Sequence, residues 1–239
     1  MKWRLVIAAA CVGSLLAGCA TTLPQREEPE RYEVWHEGDR IVYRGSMSGQ
    51  AIEEVAGLLA QHGDTVEWLD IESPGGEVMW GLDLGDLVLE HELGVRVINK
   101  GCHSTCANYV FTAGHPRVIE EGALVTWHGS ALQRDWSMRG GRPLKASLRR
   151  YFQAWKERQK AFFQRIGVDE RITIVGQDLE CECVWALSAK DMARFGLEGV
   201  DVPDGYTATD ISSISDNPYM RFLELPDDVF ERIRPPEDA

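Results

Sequence analysis

Val66-Glu67-Trp68-Leu69-Asp70-Ile71-Glu72-Ser73-Pro74-Gly75-Gly76 is a β-like run that breaks at a Ser-Pro-Gly-Gly turn. An amphipathic helical pattern follows from Glu77 to about His91, and then a second β-like run, Val95 to Asn99. Strand, tight turn, helix and strand in this rhythm predict a crossover unit, and with it an α/β fold with a mainly parallel sheet. Glycines at 75 and 76 free the backbone for close approach to a ligand and put N–H groups at the head of the next helix. Taken alone, the same four residues read equally well as an ordinary tight turn.

Upstream, Tyr32 to His36 and Ile41 to Arg44 alternate around Glu37-Gly38-Asp39, a hairpin pattern. A helix is predicted from Gln50 to about Gln61, with Ala51, Ile52, Val55, Leu58 and Leu59 on one face, ended by Gly63. Downstream of Asn99 comes Gly101-Cys102-His103-Ser104-Thr105-Cys106-Ala107-Asn108, followed by an apolar helix-like run from Tyr109 to Ala113. A hydroxyl at a strand-to-helix turn sits where backbone N–H groups and the helix dipole can hold an oxyanion, so Ser104 or Thr105 is a candidate nucleophile. The competing reading is that both hydroxyls cap the helix while the cysteines pack or pair.

Arg117 to Ile119 and Leu124 to His128 read as two more strands around Glu120-Glu121-Gly122. His128 ends an apolar strand, where its ring could meet the Ser104 hydroxyl or serve structure alone. Residues 129 to 143 read as a polar loop, Ala146 to Ile166 as a long helix, and Asp169 to Val175 and Ser188 to Phe195 as short helices. The tail after Pro203, anchored by Tyr219, Phe222 and Phe230, is expected to lie over the surface.

The 239 residues carry a formal net charge of -13 at pH 7. An anionic surface argues against nucleic acid and against binding to anionic lipid headgroups. At the N-terminus, Lys2 and Arg4 precede an apolar run, Leu5 to Leu16, too short to span a bilayer comfortably, so it reads as a secretory signal. Leu16-Ala17-Gly18-Cys19 resembles a bacterial lipobox, which implies cleavage before Cys19 and lipidation of that thiol. Ala20, where an acidic residue would retain a lipoprotein at the inner membrane, implies an outer-membrane anchor facing the periplasm. The expected organisation is a signal peptide at 1–18, a flexible tether at 19–31, one α/β domain at 32–203 and a surface tail at 204–239.

With Cys11 removed and Cys19 lipidated, four cysteines remain: Cys102, Cys106, Cys181 and Cys183. In an oxidising compartment they suggest two disulfides. If Cys102 and Cys106 share a helix, their Cβ atoms stand roughly 5–6 Å apart, beyond the roughly 3.5–4.5 Å a disulfide wants. Cross-links between the 102/106 and 181/183 segments are therefore expected. A zinc site from the same thiols is disfavoured, since the spacings match no common structural site; no metal and no cofactor are expected.

Taken in order, Ser73-Pro74-Gly75-Gly76, Gly101 to Ala107 with Ala113-Gly114 behind it, Val125-Thr126-Trp127-His128, and Leu187 to Leu197 resemble the Clp protease proteolytic subunit and the wider ClpP/crotonase superfamily. The likeness covers roughly residues 40 to 200. It implies a ClpP/crotonase-like spiral of βαβ units with a handle-like long helix at Ala146 to Ile166. Closer still, Cys102-His103-Ser104-Thr105-Cys106 is similar to the Cys-x-Ser-x-Cys turn of periplasmic ClpP-like proteins, which favours Ser104 as nucleophile. Counting back from Ala113-Gly114 in the Clp register lands on Thr105 instead.

The resemblance implies His128 as general base and the Gly76 and Thr105 N–H groups as oxyanion donors. It places the third catalytic residue, an Asp in the Clp peptidase, at Val184. Glu182 is the candidate replacement, with Asp178 and Glu180 as alternatives. A Ser-His dyad oriented by a backbone carbonyl and a base at Lys145 are further options. The implied activity is hydrolysis of peptide or protein substrates in the envelope, with no ATPase partner. The handle-like helix, carrying Tyr151, Phe152, Trp155, Phe162 and Phe163, implies a homo-oligomer, although burial on its own sheet accounts for these aromatics equally well. The alternative is a catalytically inactive ClpP-fold envelope scaffold or binding protein. Acyl-CoA chemistry of the crotonase kind does not suit a compartment without coenzyme A.

Overall fold

The structure is a computed structural model that describes residues 31–133, 146–177, 179 and 183–233. Its first elements are the antiparallel hairpin β1 (Tyr32–Glu37) and β2 (Arg40–Gly45), then α1 (Gly49–His62), β3 (Trp68–Ser73), α2 (Val78–Glu90) and β4 (Gly94–His103). β5 (Arg117–Ile119) and β6 (Leu124–Trp127) follow, then α3 (Ala146–Ile166), β7 (Val184–Leu187), α4 (Ala189–Ala193), β8 (Val200–Asp201), β9 (Met220–Leu223) and α5 (Asp227–Arg232).

Among the described residues the strands form one mixed sheet in the order β1-β2-β3-β4-β6-β7-β9, with β5 beside β4 and β8 beside β5. β2, β3, β4, β5 and β6 run parallel; β7 turns antiparallel to β6. The crossover predicted from Val66 to Asn99 is therefore present as β3-α2-β4. Short polar caps set the helix starts: the Ser48 side chain accepts from Ala51 N, and the Glu77 carboxylate accepts from Met79 N and Trp80 N.

β4 is long enough to serve two partners. Its first half pairs with β5 (Val95 with Arg117) and its second half with β6 (Gly101 with Leu124). Gly101 (φ +125) makes this change of partner feasible, because a Cβ there would overlap the Leu124 backbone. Both faces are covered, so the central strands carry apolar residues almost continuously: Leu69 and Ile71, Val95 and Val97, and Leu124, Val125 and Trp127 are all buried.

The tail departs from expectation. Met220–Leu223 does not merely lie over the surface but adds to the sheet as β9, parallel to β7. Tyr206 is buried, with its ring edge-on to Phe222, and Phe230 packs on Phe195, so the segment after residue 203 is part of the fold's packing. Of the aromatics on α3, Trp155, Phe162 and Phe163 are buried within the chain and Tyr151 is exposed, which favours burial over association for most of them. Cys19 and the signal-like segment lie outside the described residues. Among the described residues, no helix is long and apolar enough to cross a membrane.

Candidate active site

Register brings the sequence features together. Ser73 pairs with Cys102 across β3 and β4, and His103 pairs with Thr126 across β4 and β6. The Ser-Pro-Gly-Gly turn, Ser104 and His128 thus leave the sheet at the C-terminal ends of three neighbouring parallel strands, where open α/β sheets place their ligands. Ser104 N donates to Thr126 O at 3.0 Å, which ties the first residue past β4 to the last turn of β6. The Ser104 hydroxyl and His128 Nε2 lie 2.7 Å apart.

Ser104 has φ +57, left-handed backbone that a non-glycine residue adopts only when its surroundings hold it there. Several contacts do so. Gly75 approaches so closely that a Cβ on it would stand 2.8 Å from His103 O and 3.0 Å from Ser104 Cβ. Thr105, 2 % exposed, donates its hydroxyl to Gly76 O at 3.0 Å. That bond ties the turn at Ser104 to the glycine turn and engages the Thr105 hydroxyl away from His128, so Ser104 is the hydroxyl within hydrogen-bonding reach of the ring.

The conflicting count from Ala113-Gly114 has a structural origin. The helix after Ser104 is π-helical over Cys106–Phe111, and a π-turn absorbs one extra residue. A count backwards that assumes an α-helix therefore differs by one residue from the π-helical chain, the difference between Thr105 and Ser104.

The expected cross-links between the two cysteine segments are wrong. Cys102 is bonded to Cys106, with Cα atoms 5.3 Å apart. The two do not share a helix: Cys102 lies in β4, Cys106 opens the π-helix, and the left-handed turn at Ser104 doubles the chain back between them. The disulfide brackets the turn at Ser104 instead of joining it to the 181/183 segment. Cys183 is also disulfide-bonded, to neither of these two; Cys181 lies outside the described residues.

Burial pulls the His128 ring below its ordinary pKa of 6.5, and a hydrogen bond with its own backbone carbonyl acts in the opposite sense. The ring is thus favoured as the neutral, proton-accepting form at neutral pH. His103, beside Ser104 in the chain, is unsuited to accept a proton there. Burial drives its pKa to about 4, and its Nδ1 is engaged with Thr126 Oγ1 at 2.8 Å between β4 and β6.

The antiparallel register Trp127 with Trp185, carried one residue further, sets Val184 opposite His128. The position where the resemblance implies a carboxylate holds an apolar, half-buried side chain. Among the described residues no carboxylate bonds to His128. Glu182, Asp178, Glu180 and Lys145 lie outside the described residues.

Three groups of supporting residues carried no sequence-level prediction. Gly81 and Gly85, one turn apart on α2, admit the nucleophile helix: a Cβ at Gly81 would overlap Thr105 Cγ2, and one at Gly85 would reach Tyr109 O at 2.7 Å. Their spacing, small residues four apart on one helix face, was the available signal. Asn108 Nδ2 donates to Gly129 O at 2.9 Å. Beneath the same segment runs a buried polar network. Trp155 Nε1 donates to the Tyr109 hydroxyl and that hydroxyl to Gln159 Oε1, both at 2.7 Å, while Gln159 Nε2 donates to Ser130 Oγ at 3.2 Å and Thr173 Oγ1 to the same oxygen at 2.7 Å. Polar residues scattered over four elements leave no pattern in a linear sequence.

No family model matches the chain, and no curated protein is significantly similar to it.

Proposed function

We propose that this protein is a serine hydrolase, acting by acyl transfer on peptide or protein substrates, with Ser104 as nucleophile and His128 as general base. The observation that carries the reading is the 2.7 Å contact between Ser104 Oγ and His128 Nε2 at the C-terminal ends of β4 and β6. Neutral His128 takes the Ser104 proton as Oγ attacks the substrate carbonyl, and returns it to the leaving amine as the acyl-enzyme forms. Water, activated by the same ring, then releases the acid. Gly76 at the head of α2 and Thr105 at the head of the π-helical segment are the proposed oxyanion donors, because the Thr105 to Gly76 hydrogen bond holds those two peptides beside Ser104.

The strand order, the two glycine-containing turns and the histidine strand support a ClpP/crotonase-like reading of the fold, with α3 in the handle position. The lipobox-like Leu16 to Cys19 and the disulfide between Cys102 and Cys106 suit a lipid-anchored protein facing the periplasm, working without an ATPase partner or a cofactor. One observation favours a second reading, a scaffold or binding protein that has lost catalysis: Val184 stands opposite His128 where a carboxylate would orient the ring.

Incubating the oxidised protein, freed of its lipid signal, with a fluorophosphonate and locating the adduct by peptide mass spectrometry separates the two. Labelling at Ser104 that disappears in Ser104→Ala is the hydrolase result. An unlabelled wild-type protein would leave the scaffold reading standing.

A further inference from the structure

We propose that Asn108 is a positioning residue for the Ser104–His128 pair: from the helix that Ser104 opens, its side-chain amide holds the peptide that follows His128. The inference rests on the serine-hydrolase reading above.

Hydrogen bonds close a ring around the site. Asn108 N donates to Ser104 O at 2.9 Å, Asn108 Nδ2 donates to Gly129 O at 2.9 Å, Gly129 is covalently joined to His128, and His128 Nε2 meets Ser104 Oγ at 2.7 Å. The base and the nucleophile are therefore fixed to each other through one side chain. Thr112 Oγ1, donating to Asn108 O at 2.6 Å, steadies the turn of helix that carries it.

His128 needs such support. No carboxylate among the described residues bonds to it, and Val184 lies opposite it in the sheet. Among the described residues the support falls on the backbone on both sides of His128: Gln177 Nε2 reaches His128 O at 3.4 Å while Asn108 takes the next carbonyl. A Cβ on Gly129 would meet Gln133 Oε1 and stand 3.2 Å from Gln177 Nε2, so the two glutamine amides close around this peptide.

Asn108 is also a costly residue for packing alone. It is 2 % exposed, and its Oδ1 is buried without a hydrogen-bond partner. An apolar side chain of similar shape would remove that orphaned acceptor at the cost of the donor to Gly129 O. Only the Nδ2 donor accounts for an amide at this position.

Asn108→Leu removes the donor and the orphaned oxygen together at nearly constant volume, so it separates positioning from folding. Expected are a Tm that changes little, because the Gly129 O left without its donor offsets the orphaned Oδ1 removed, fluorophosphonate labelling of Ser104 slowed by about 10-fold or more, and a His128 titration midpoint, read by NMR of the 15N-labelled ring, that rises towards the ordinary 6.5. Asn108→Ala, which leaves space instead of filling it, should give the same shift if the leucine variant does not fold. A fall in Tm with His128 titration unchanged would make Asn108 structural only and overturn the proposal, as would unchanged labelling and titration. If wild-type protein takes no label, the hydrolase reading fails, and the ring titration still decides whether Asn108 sets His128.

Discussion

The turn at Ser104 and the strand end at His128 meet at a 2.7 Å hydrogen bond, but they are held by different means. Around Ser104 the restraints are covalent and steric: a disulfide from Cys102 to Cys106, a glycine backbone pressed against the turn, and Thr105 tied to Gly76. The result is a serine held in left-handed backbone from both sides of its turn. Around His128 the restraints are amide side chains on main-chain carbonyls, above a buried network running from Ser130 through Gln159 to Tyr109. The ring itself stands past the C-terminal end of β6, open to solvent. The difference teaches that Ser104 is placed by local chain geometry, whereas the chain carrying His128 is placed by long-range contacts with the helix after Ser104, with α3 and with residues 173 to 177.

The largest effect should come from disturbing the rigid side. Gly75→Ala adds a Cβ 2.8 Å from His103 O at a backbone φ of +95, so the turn must shift; displacing Ser104 by even about 1 Å is expected to slow labelling by about 10²-fold. Retained labelling would show that the turn is less constrained than its contacts indicate. On the other side, Gln159→Leu deprives the Tyr109 hydroxyl of its acceptor and Ser130 of a donor. A loss of about 1–3 kcal/mol in chemical denaturation is expected, together with slower labelling, because the chain after His128 loses its floor. Stability unchanged by that substitution would mean the network does not hold the base.

A smaller change should follow Cys102→Ser with Cys106→Ser. A loop this short constrains the unfolded chain little, so the chain-entropy loss is about 2 kcal/mol, and the turn keeps its glycine and Thr105 contacts. Labelling should fall less than in Gly75→Ala; a larger fall would make the disulfide the main restraint on Ser104.

Much of the architecture was legible because it is written in local periodicity. The β3-α2-β4 crossover follows from one strand pattern, one glycine turn and one helix pattern in succession. Ser104 and His128 were legible as residues at strand ends, but their meeting depends on β6 pairing with the second half of β4, which no local pattern specifies. The disulfide was misread because the helix was taken to include Cys102; β4 in fact runs to His103, and the reversal at Ser104 brings the two Cα atoms to 5.3 Å. The π-helix over Cys106–Phe111 shifts a count back from Ala113-Gly114 by one residue, the difference between Thr105 and Ser104. β9 was missed because four residues between proline-containing acidic segments carry little strand signal, and their place in the sheet comes from burial against Tyr206 and β7.

The central claim is that neutral His128 activates Ser104, and the pH dependence of the labelling rate tests it most directly. Burial lowers the His128 pKa, so the neutral base persists below the ordinary 6.5. The rate of Ser104 labelling should rise with pH through a midpoint below that value, and this acid limb should vanish, at a much lower rate, in His128→Ala. An acid limb that survives unchanged in His128→Ala, or labelling equally fast without the ring, would contradict the account.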